Sequence, residues 1–149
     1  MKIKNNRSGF TIVELLIVII VIGILTGLIV TTFSDFKRKS RNTERQNDIK
    51  YVQQAVENYY AQNEKYPTFD NLNDSAWRVK NIKTLGSDEL QDPSAVDAKL
   101  SKTPVANVYS YEPQAEDGGV CDNTTRDCMK YILTATQEGT EPFVKNNYN

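Results

Sequence analysis

The chain of 149 residues contains no histidine, so the commonest general base and the commonest metal ligand in proteins are both missing. It also contains no G-x-S-x-G nucleophile motif and no glycine-rich phosphate-binding loop. The formal net charge is −1, which gives no indication of a nucleic-acid partner. These absences predict a protein with no catalytic residue set, no bound metal and no cofactor.

Cysteine is scarce, with only Cys121 and Cys128, and a polar, loop-like insert separates the two. Their spacing is neither that of a CxxC redox motif nor that of a zinc site. Two thiols that close a short loop in an exported domain are most simply a disulfide, and a pair of free thiols is the alternative. A disulfide would place the C-terminal part of the chain in an oxidising compartment.

A long apolar run, residues 10–30, follows a short basic leader, residues 1–9. As a helix, this run would span about 30 Å, the hydrocarbon thickness of a bilayer. It therefore predicts a transmembrane segment over residues 10–33. Gly23 and Gly27 lie four apart, a spacing that lets a neighbouring helix approach closely, although glycine is also simply commoner in membrane helices. A cleaved secretory signal fits less well, because the run is long and no A-x-A site follows it.

One carboxylate, Glu14, lies inside this run, where a charge costs about 2.5–3.5 kcal/mol on insertion scales. Glu14 is only four residues into the run, so one hypothesis is that it reaches back to interfacial water. In the other hypothesis, a cut between Gly9 and Phe10 creates an α-amino group that pairs with Glu14 of a neighbouring subunit, so that each charge offsets the burial of the other. The second hypothesis predicts a protein that polymerises.

The helix is expected to continue beyond the apolar run, because residues 31–63 contain neither proline nor glycine. Ile49, Val52, Val56 and Tyr59 form one apolar stripe at helical spacing. Pro67 disfavours helical geometry at Tyr66 and so predicts the helix end, which gives one helix of about residues 11–63. The basic residues between 37 and 41 fit a membrane-proximal anchor or ion pairs between subunits better than a nucleic-acid site.

The rest of the chain is predicted to be an irregular loop, residues 64–104, followed by a small sheet, residues 105–145. Apolar side chains of the loop are spaced to enter a core: Trp77, Val79, Ile82, Leu85 and Leu90. Alternation of apolar and polar residues predicts three strands, at 108–111 (ended by Pro113), 129–136 and 143–145. The expected fold is α+β, with the long helix covering one face of an antiparallel meander.

Two weak patterns remain in the C-terminal part. Carboxylates surround the cysteine loop and could hold calcium, although a solvated edge is the simpler interpretation: Glu112, Glu116, Asp117, Asp122 and Asp127. A second acidic group, Asp88, Glu89 and Asp92, has the same two interpretations. Asn123 begins an N-x-T glycosylation pattern, which is common by chance.

The segment GFTIVELLIVI, residues 9–19, resembles the class III signal of type IV prepilins and pseudopilins. That family has a short basic leader, a glycine, a phenylalanine and a glutamate as the fifth residue after the cut, which correspond here to Gly9, Phe10 and Glu14. The resemblance extends to the long helix, to residues 63–68 and to a C-terminal meander with a cysteine-bounded loop. Many pilins have a proline where this chain has Thr31, so partial melting of the helix in a filament, if it occurs, is expected between Gly23 and Thr31.

The resemblance implies that a prepilin peptidase cuts between Gly9 and Phe10 and methylates the Phe10 amine. A cytoplasmic ATPase and a membrane platform protein would then draw subunits into a filament. Residues 10–33 would form the filament core, and residues 34–149, including the helix half 34–63, would form a soluble domain.

The implied location is a single-pass cytoplasmic membrane protein that becomes part of an extracellular pilus, or fimbrium, with roles in adhesion and twitching motility. A pseudopilin of a type II secretion or competence system is the alternative within the family. A signal-anchored, monomeric binding domain is the alternative from another class.

Overall fold

The computed structural model describes residues 9–148, and the side chains of residues 28–32 are outside that description. The predicted leader therefore lies outside the described residues except for Gly9. The chain divides into two compact units, one that ends at Arg38 and one that begins at Lys39.

Helix α1 runs without a break over Ile12–Asn63, 52 residues, and confirms the predicted helix. The segment between Gly23 and Thr31 is therefore helical in the single chain. The helix ends with Glu64 in the left-handed region (φ 58°), and the Glu64 N–H donates to the Tyr60 carbonyl at 2.8 Å. This is the geometry of an αL cap, a position where glycine is usual.

Three strands form the sheet of the second unit: β1 (Ser110–Gln114), β2 (Lys130–Ala135) and β3 (Phe143–Asn146). Both pairings are antiparallel in the order β1-β2-β3, which confirms the predicted meander.

The predicted end of the first strand at Pro113 is wrong, because β1 continues through this proline to Gln114. The Tyr111 N–H points away from β2 and donates to the Ser101 carbonyl at 3.0 Å. Pro113 is two residues further along, so its missing N–H lies on the same outer edge. Proline is tolerated there because the ladder to β2 loses no hydrogen bond.

The predicted stripe of α1 forms one wall of the core. Ile49, Val52 and Val56 are fully buried and belong to one cluster with side chains of the sheet. Tyr66 and Tyr131, also fully buried, donate their hydroxyls to the Glu57 carboxylate at 2.9 and 2.7 Å. Buried tyrosine hydroxyls need such partners, so α1 supplies both the apolar wall and the acceptors for the core.

The predicted loop of residues 64–104 contains two short helices, α2 (Phe69–Asn73) and α3 (Ser75–Asn81), and a 3-10 turn at Asp88–Leu90. Thr68 and Asn71 form a capping box that starts α2. The aspartate that follows α2 then caps α3, which the Asn/Asp-rich sequence had indicated only as turns.

The predicted core position of Val79 is wrong, because its side chain is 71% exposed. Arg78 is buried instead, and its guanidinium donates to the Leu72 carbonyl at 2.5 Å and to the Ser87 hydroxyl at 3.2 Å. Trp77 is half-buried against the ring of Tyr59, with the centroids 5.3 Å apart. Helix α3 therefore turns its arginine, rather than its valine, towards the core.

Candidate functional site

The start of α1 is built by a reciprocal pair of side chains. The Glu14 carboxylate accepts from both the backbone N–H and the hydroxyl of Thr11, each at 2.8 Å, and the Glu14 N–H donates to the Thr11 hydroxyl at 3.3 Å. This is a T-x-x-E capping box, with Thr11 as the N-cap. The sequence pattern was available, but the interpretation of Glu14 as a charge in a membrane segment missed the role of Thr11.

The capping box uses only one oxygen of Glu14. All three bonds of the box involve Oε2 or the backbone, and within residues 9–148 the other oxygen, Oε1, has no hydrogen bond. The Phe10 side chain is 82% exposed and Glu14 is also exposed. The structure thus brings Glu14 together with Thr11, while one carboxylate oxygen stays open to a group outside the chain.

An apolar surface surrounds the first unit's part of α1. The large side chains from Phe10 to Leu25 are between 47% and 85% exposed, and none is buried. A continuous apolar surface of this kind marks an interaction site in a folded protein. Judged on residues 9–148 with the side chains of 28–32 left aside, no helix is both long and apolar enough to cross a membrane.

Gly23 and Gly27 lie on this surface with open space around them. No heavy atom lies within 4 Å of a Cβ built at either position. The Thr26 hydroxyl between them donates to the Ile22 carbonyl of its own helix at 2.7 Å, so it does not need an outside partner. Packing within the described chain therefore does not require either glycine.

Two of the basic residues between 37 and 41 have ion-pair partners in their own chain. In the first unit, Arg38 lies 3.3 Å from Asp35 at the surface. In the second unit, Arg41 makes a bidentate pair with Glu138 at 2.7 and 2.5 Å. The expectation of an anchor or of intersubunit pairs is thus wrong for Arg41, whose partner lies in its own chain.

Sequence reasoning missed a buried ion-pair cluster beside Arg41. Arg45 has no exposed side-chain surface and donates to Asp92 at 2.6 and 3.0 Å and to Glu138 at 2.8 Å. The hydrogen bonds from Arg41 and Arg45 lower the pKa of Glu138 to about 2. The cluster joins α1 to the 88–95 segment and to the turn between β2 and β3. No local sequence pattern indicates this cluster, because Arg45 lies 47 positions from Asp92 and 93 positions from Glu138.

Cys121 and Cys128 form the predicted disulfide, with their Cα atoms 5.1 Å apart. The loop that they close is attached to the chain just after α1, because the Tyr66 N–H donates to the Cys128 carbonyl at 2.8 Å. Asn123 completes the attachment, with its amide donating to the Tyr66 carbonyl at 2.7 Å and accepting from the Cys128 N–H at 2.8 Å. A glycan on the Asn123 amide nitrogen would compete with this contact.

The carboxylates of the disulfide loop and its flanks make hydrogen bonds and ion pairs within their own chain. Asp122 accepts from three backbone N–H groups and from the Thr125 hydroxyl, which together hold the pKa of its carboxyl well below the usual range. Asp117 pairs with Arg126, and Asp127 lies 3.0 Å from Lys65. Across the described part of the chain, no group of three or more acidic, histidine or cysteine residues is placed to hold a metal ion.

Comparison with known proteins finds a motif match near the N-terminus and partial similarity to two kinds of protein. Residues 4–30 match the model of the prokaryotic N-terminal methylation motif. The chain is 35% identical over 65 residues to the type II secretion system core protein G of Aeromonas hydrophila. It is 32% identical over 70 residues to the type IV major pilin protein PilA of Myxococcus xanthus. The chain is thus similar, over less than half of its length, both to a type II secretion core protein and to a type IV pilin.

The likeness to these proteins is confined to part of each chain. The alignment covers 44% of this chain and 46% of the Aeromonas protein, and 47% of this chain and 32% of the Myxococcus pilin. The Escherichia coli core protein G is 32% identical over 68 residues, which are 46% of this chain and 47% of that protein. The chain thus spans between a third and a half of the length of these relatives. No solved structure matches it significantly.

Proposed function

We propose that this protein is a structural subunit of a type IV pilus, and not an enzyme, and that it polymerises through the first part of α1. The observation that carries the proposal is the uncovered apolar surface from Phe10 to Leu25, which lies within the residues that match the methylation motif. In a filament, the same segments of neighbouring subunits cover this surface. The open space at Gly23 and Gly27 supports close packing between those helices.

Processing precedes assembly in this proposal. A prepilin peptidase hydrolyses the Gly9–Phe10 bond, which leaves a carboxylate on Gly9 and an amine on Phe10. The amine then takes a methyl group from a sulfonium methyl donor, which leaves as a thioether, and the amine releases one proton. The exposure of Phe10 supports access to this bond. Before assembly the apolar segment anchors the subunit in the cytoplasmic membrane, and an assembly ATPase and a membrane platform protein move it into the extracellular filament.

Glu14 sets the register between subunits. Its Oε2 atom caps its own helix through Thr11, and its unbonded Oε1 atom accepts from the Phe10 amine of a neighbouring subunit. The pair offsets the cost of burying either charge alone among apolar helices. The capping box supports this role because it holds the carboxylate in one position before the neighbour arrives.

A pseudopilin of a type II secretion system is the second candidate function, and the similarity to core protein G in several species favours it. The two candidates differ in where the polymer is found. Imaging of intact cells distinguishes them, because a pilus subunit is the main protein of long surface filaments. Loss of protein secretion without loss of surface filaments, on deletion of the gene, would instead identify the pseudopilin.

N-terminal sequencing of the mature protein, with mass spectrometry of the first peptide, tests the family mechanism. We expect a chain that begins at N-methylated Phe10. A mature protein that begins at Met1, or one that is cut near Ser34, would exclude assembly by this route. Either result would favour a monomeric, signal-anchored or secreted domain.

A further inference from the structure

A cleft of about 360 Å³ lies in the second unit between α2, β1 and the disulfide loop. Its apolar walls come from three elements: Phe69, Pro113, Val120 and Cys121. Val120 is 86% exposed, so the described chain does not cover the cleft. An uncovered apolar cleft held open by a disulfide and a proline is a preformed binding surface.

The rim of this cleft carries charges that its own chain does not neutralise. Asp70 and Glu112 have no ion pair within residues 9–148, and the only hydrogen bond to the Glu112 carboxylate comes from the Gln114 amide at 3.0 Å. The Lys102 ammonium lies 5.1 Å from the centre of the Phe69 ring and likewise has no carboxylate partner there. A ligand that fits would bring an apolar group flanked by one positive and one negative charge.

A turn elsewhere on the same unit presents that combination. Val96 is 93% exposed, and exposed charged residues, Asp97 and Lys99, follow it closely. Neither of these two side chains has an ion pair in the described part of the chain.

Hydrogen bonds hold this turn in one shape. The Asp92 carboxylate accepts from the Ser94 N–H at 2.8 Å, the Ala95 N–H donates to the Asp92 carbonyl at 2.8 Å, and the Gln91 amide donates to the Val96 carbonyl at 3.3 Å. A rigid turn with an exposed valine loses little conformational entropy when that valine is buried by a partner.

The turn does not occupy the cleft of its own subunit. Val96 is 93% exposed and Val120 of the cleft is 86% exposed, so neither covers the other within the chain.

We propose that the Val96 turn of one subunit fills the cleft of a second copy, with Asp97 near Lys102 and Lys99 near Asp70 and Glu112. The proposal rests on the proposed function as a polymer. A contact between two different patches of identical subunits is heterologous, and such a contact generates an open helical filament when its rotation does not close into a ring. The turn and the cleft would thus add a contact between second units to the one made by the apolar helices.

Thiol cross-linking in assembled filaments tests this contact. Filaments of the Val96→Cys/Glu112→Cys variant are treated with a short bis-maleimide, which joins free thiols and leaves the Cys121–Cys128 disulfide intact. We expect a ladder of dimers, trimers and larger species on a denaturing gel. The matched control is Val79→Cys/Glu112→Cys, because Val79 is similarly exposed but lies on α3, and it should give no ladder. Filaments of the first variant without a ladder, or cross-linked only to another protein, would overturn the contact.

A charge exchange keeps the test decisive if the cysteine variant does not assemble. Asp97→Lys and Lys102→Glu should each lower filament yield by about fivefold, near the upper limit for an exposed ion pair. The double variant should recover most of the yield, whereas a double variant as poor as the single ones would refute the pairing. Failure of the proposed function looks different, because the wild-type chain would then lack a processed N-terminus and would form no filament.

Discussion

The two parts of α1 are one continuous helix in secondary structure, yet they bury their apolar side chains in different ways. In the second unit, Ile49, Val52 and Val56 are fully buried, and the sheet of the same chain covers them. In the first unit, apolar residues lie on every face of the helix and are about half exposed or more, as Ile17 is. The comparison teaches that an apolar stripe indicates a core within the chain, whereas apolar residues all round indicate a partner outside it.

Loss of Arg45 should have the largest effect on the second unit. Arg45→Ala leaves Asp92, which is 1% exposed, as a buried charge without its partner, so we expect a loss of about 3–5 kcal/mol in the free energy of unfolding. Urea unfolding of the full chain in detergent, followed by Trp77 fluorescence, measures this change. The control is Arg41→Ala, which removes a pair whose side chains are each 33% exposed and should cost about 1 kcal/mol or less. Equal losses of unfolding free energy in the two variants would show that the burial of the ion pair does not determine its contribution to stability.

A matched pair of isoleucines tests the contrast between the two parts of α1 directly. Ile49→Ala should lower the free energy of unfolding by about 2–5 kcal/mol, because it opens a cavity in the core. Ile17→Ala should leave that free energy unchanged within error and should reduce filament yield instead. The comparison fails if Ile17→Ala destabilises the isolated subunit, since the first unit would then have a partner within its own chain.

Removal of the disulfide should have a smaller effect than loss of the core. The Cys121→Ser/Cys128→Ser variant should lose about 2–4 kcal/mol, because the bridge closes a short loop and its constraint on the unfolded chain is limited. Melting temperatures with and without reductant measure the effect, and only the wild-type protein should respond to reductant. Asn123 would still hold the loop to Tyr66, so the fold should survive.

Protonation of Glu138 at low pH should have the smallest effect on the free energy of unfolding. The pKa of Glu138 is lowered to about 2 by Arg41 and Arg45, so its contribution is complete above the unfolded value near 4.5. That contribution is lost as the pH falls from about 4.5 to 2, and it amounts to about 1 kcal/mol because Glu138 is partly exposed. Urea titrations over this range should show the slope, and Glu138→Gln should reduce it. An unchanged slope in that variant would assign the acid sensitivity to other carboxylates.

Much of the fold was predictable because its signals are local. The C-terminal bound of α1 follows from the absence of proline and glycine in residues 31–63 and from Pro67, and the meander follows from alternation along β2. The end of β1 was mispredicted at Pro113, because only the pairing shows that this proline faces the outer edge.

The rest depends on contacts between distant parts of the chain. Arg45 and Asp92 pair across 47 positions, and nothing next to either residue indicates it. The burial of Arg78 in place of the predicted Val79 likewise depends on contacts of Arg78 with α2 and with Ser87, which are not visible in the local sequence. At the candidate site, the position of Glu14 was recognised from the motif. Its bond to Thr11 is local, yet it was missed because the charge was considered without its cap.

The most direct test separates the two roles of Glu14, as cap and as charge. Glutamine can accept the Thr11 bonds but carries no charge, so Glu14→Gln should retain the capping box and lose the pair with the neighbour's amine. The measurement is the yield of sheared filaments from cells with Glu14→Gln, Glu14→Ala or Thr11→Ala, together with N-terminal processing. We predict normal processing with filaments strongly reduced in both Glu14 variants and only mildly reduced in Thr11→Ala. Normal filament yield from Glu14→Gln would contradict the account, because capping alone would then explain why Glu14 is needed.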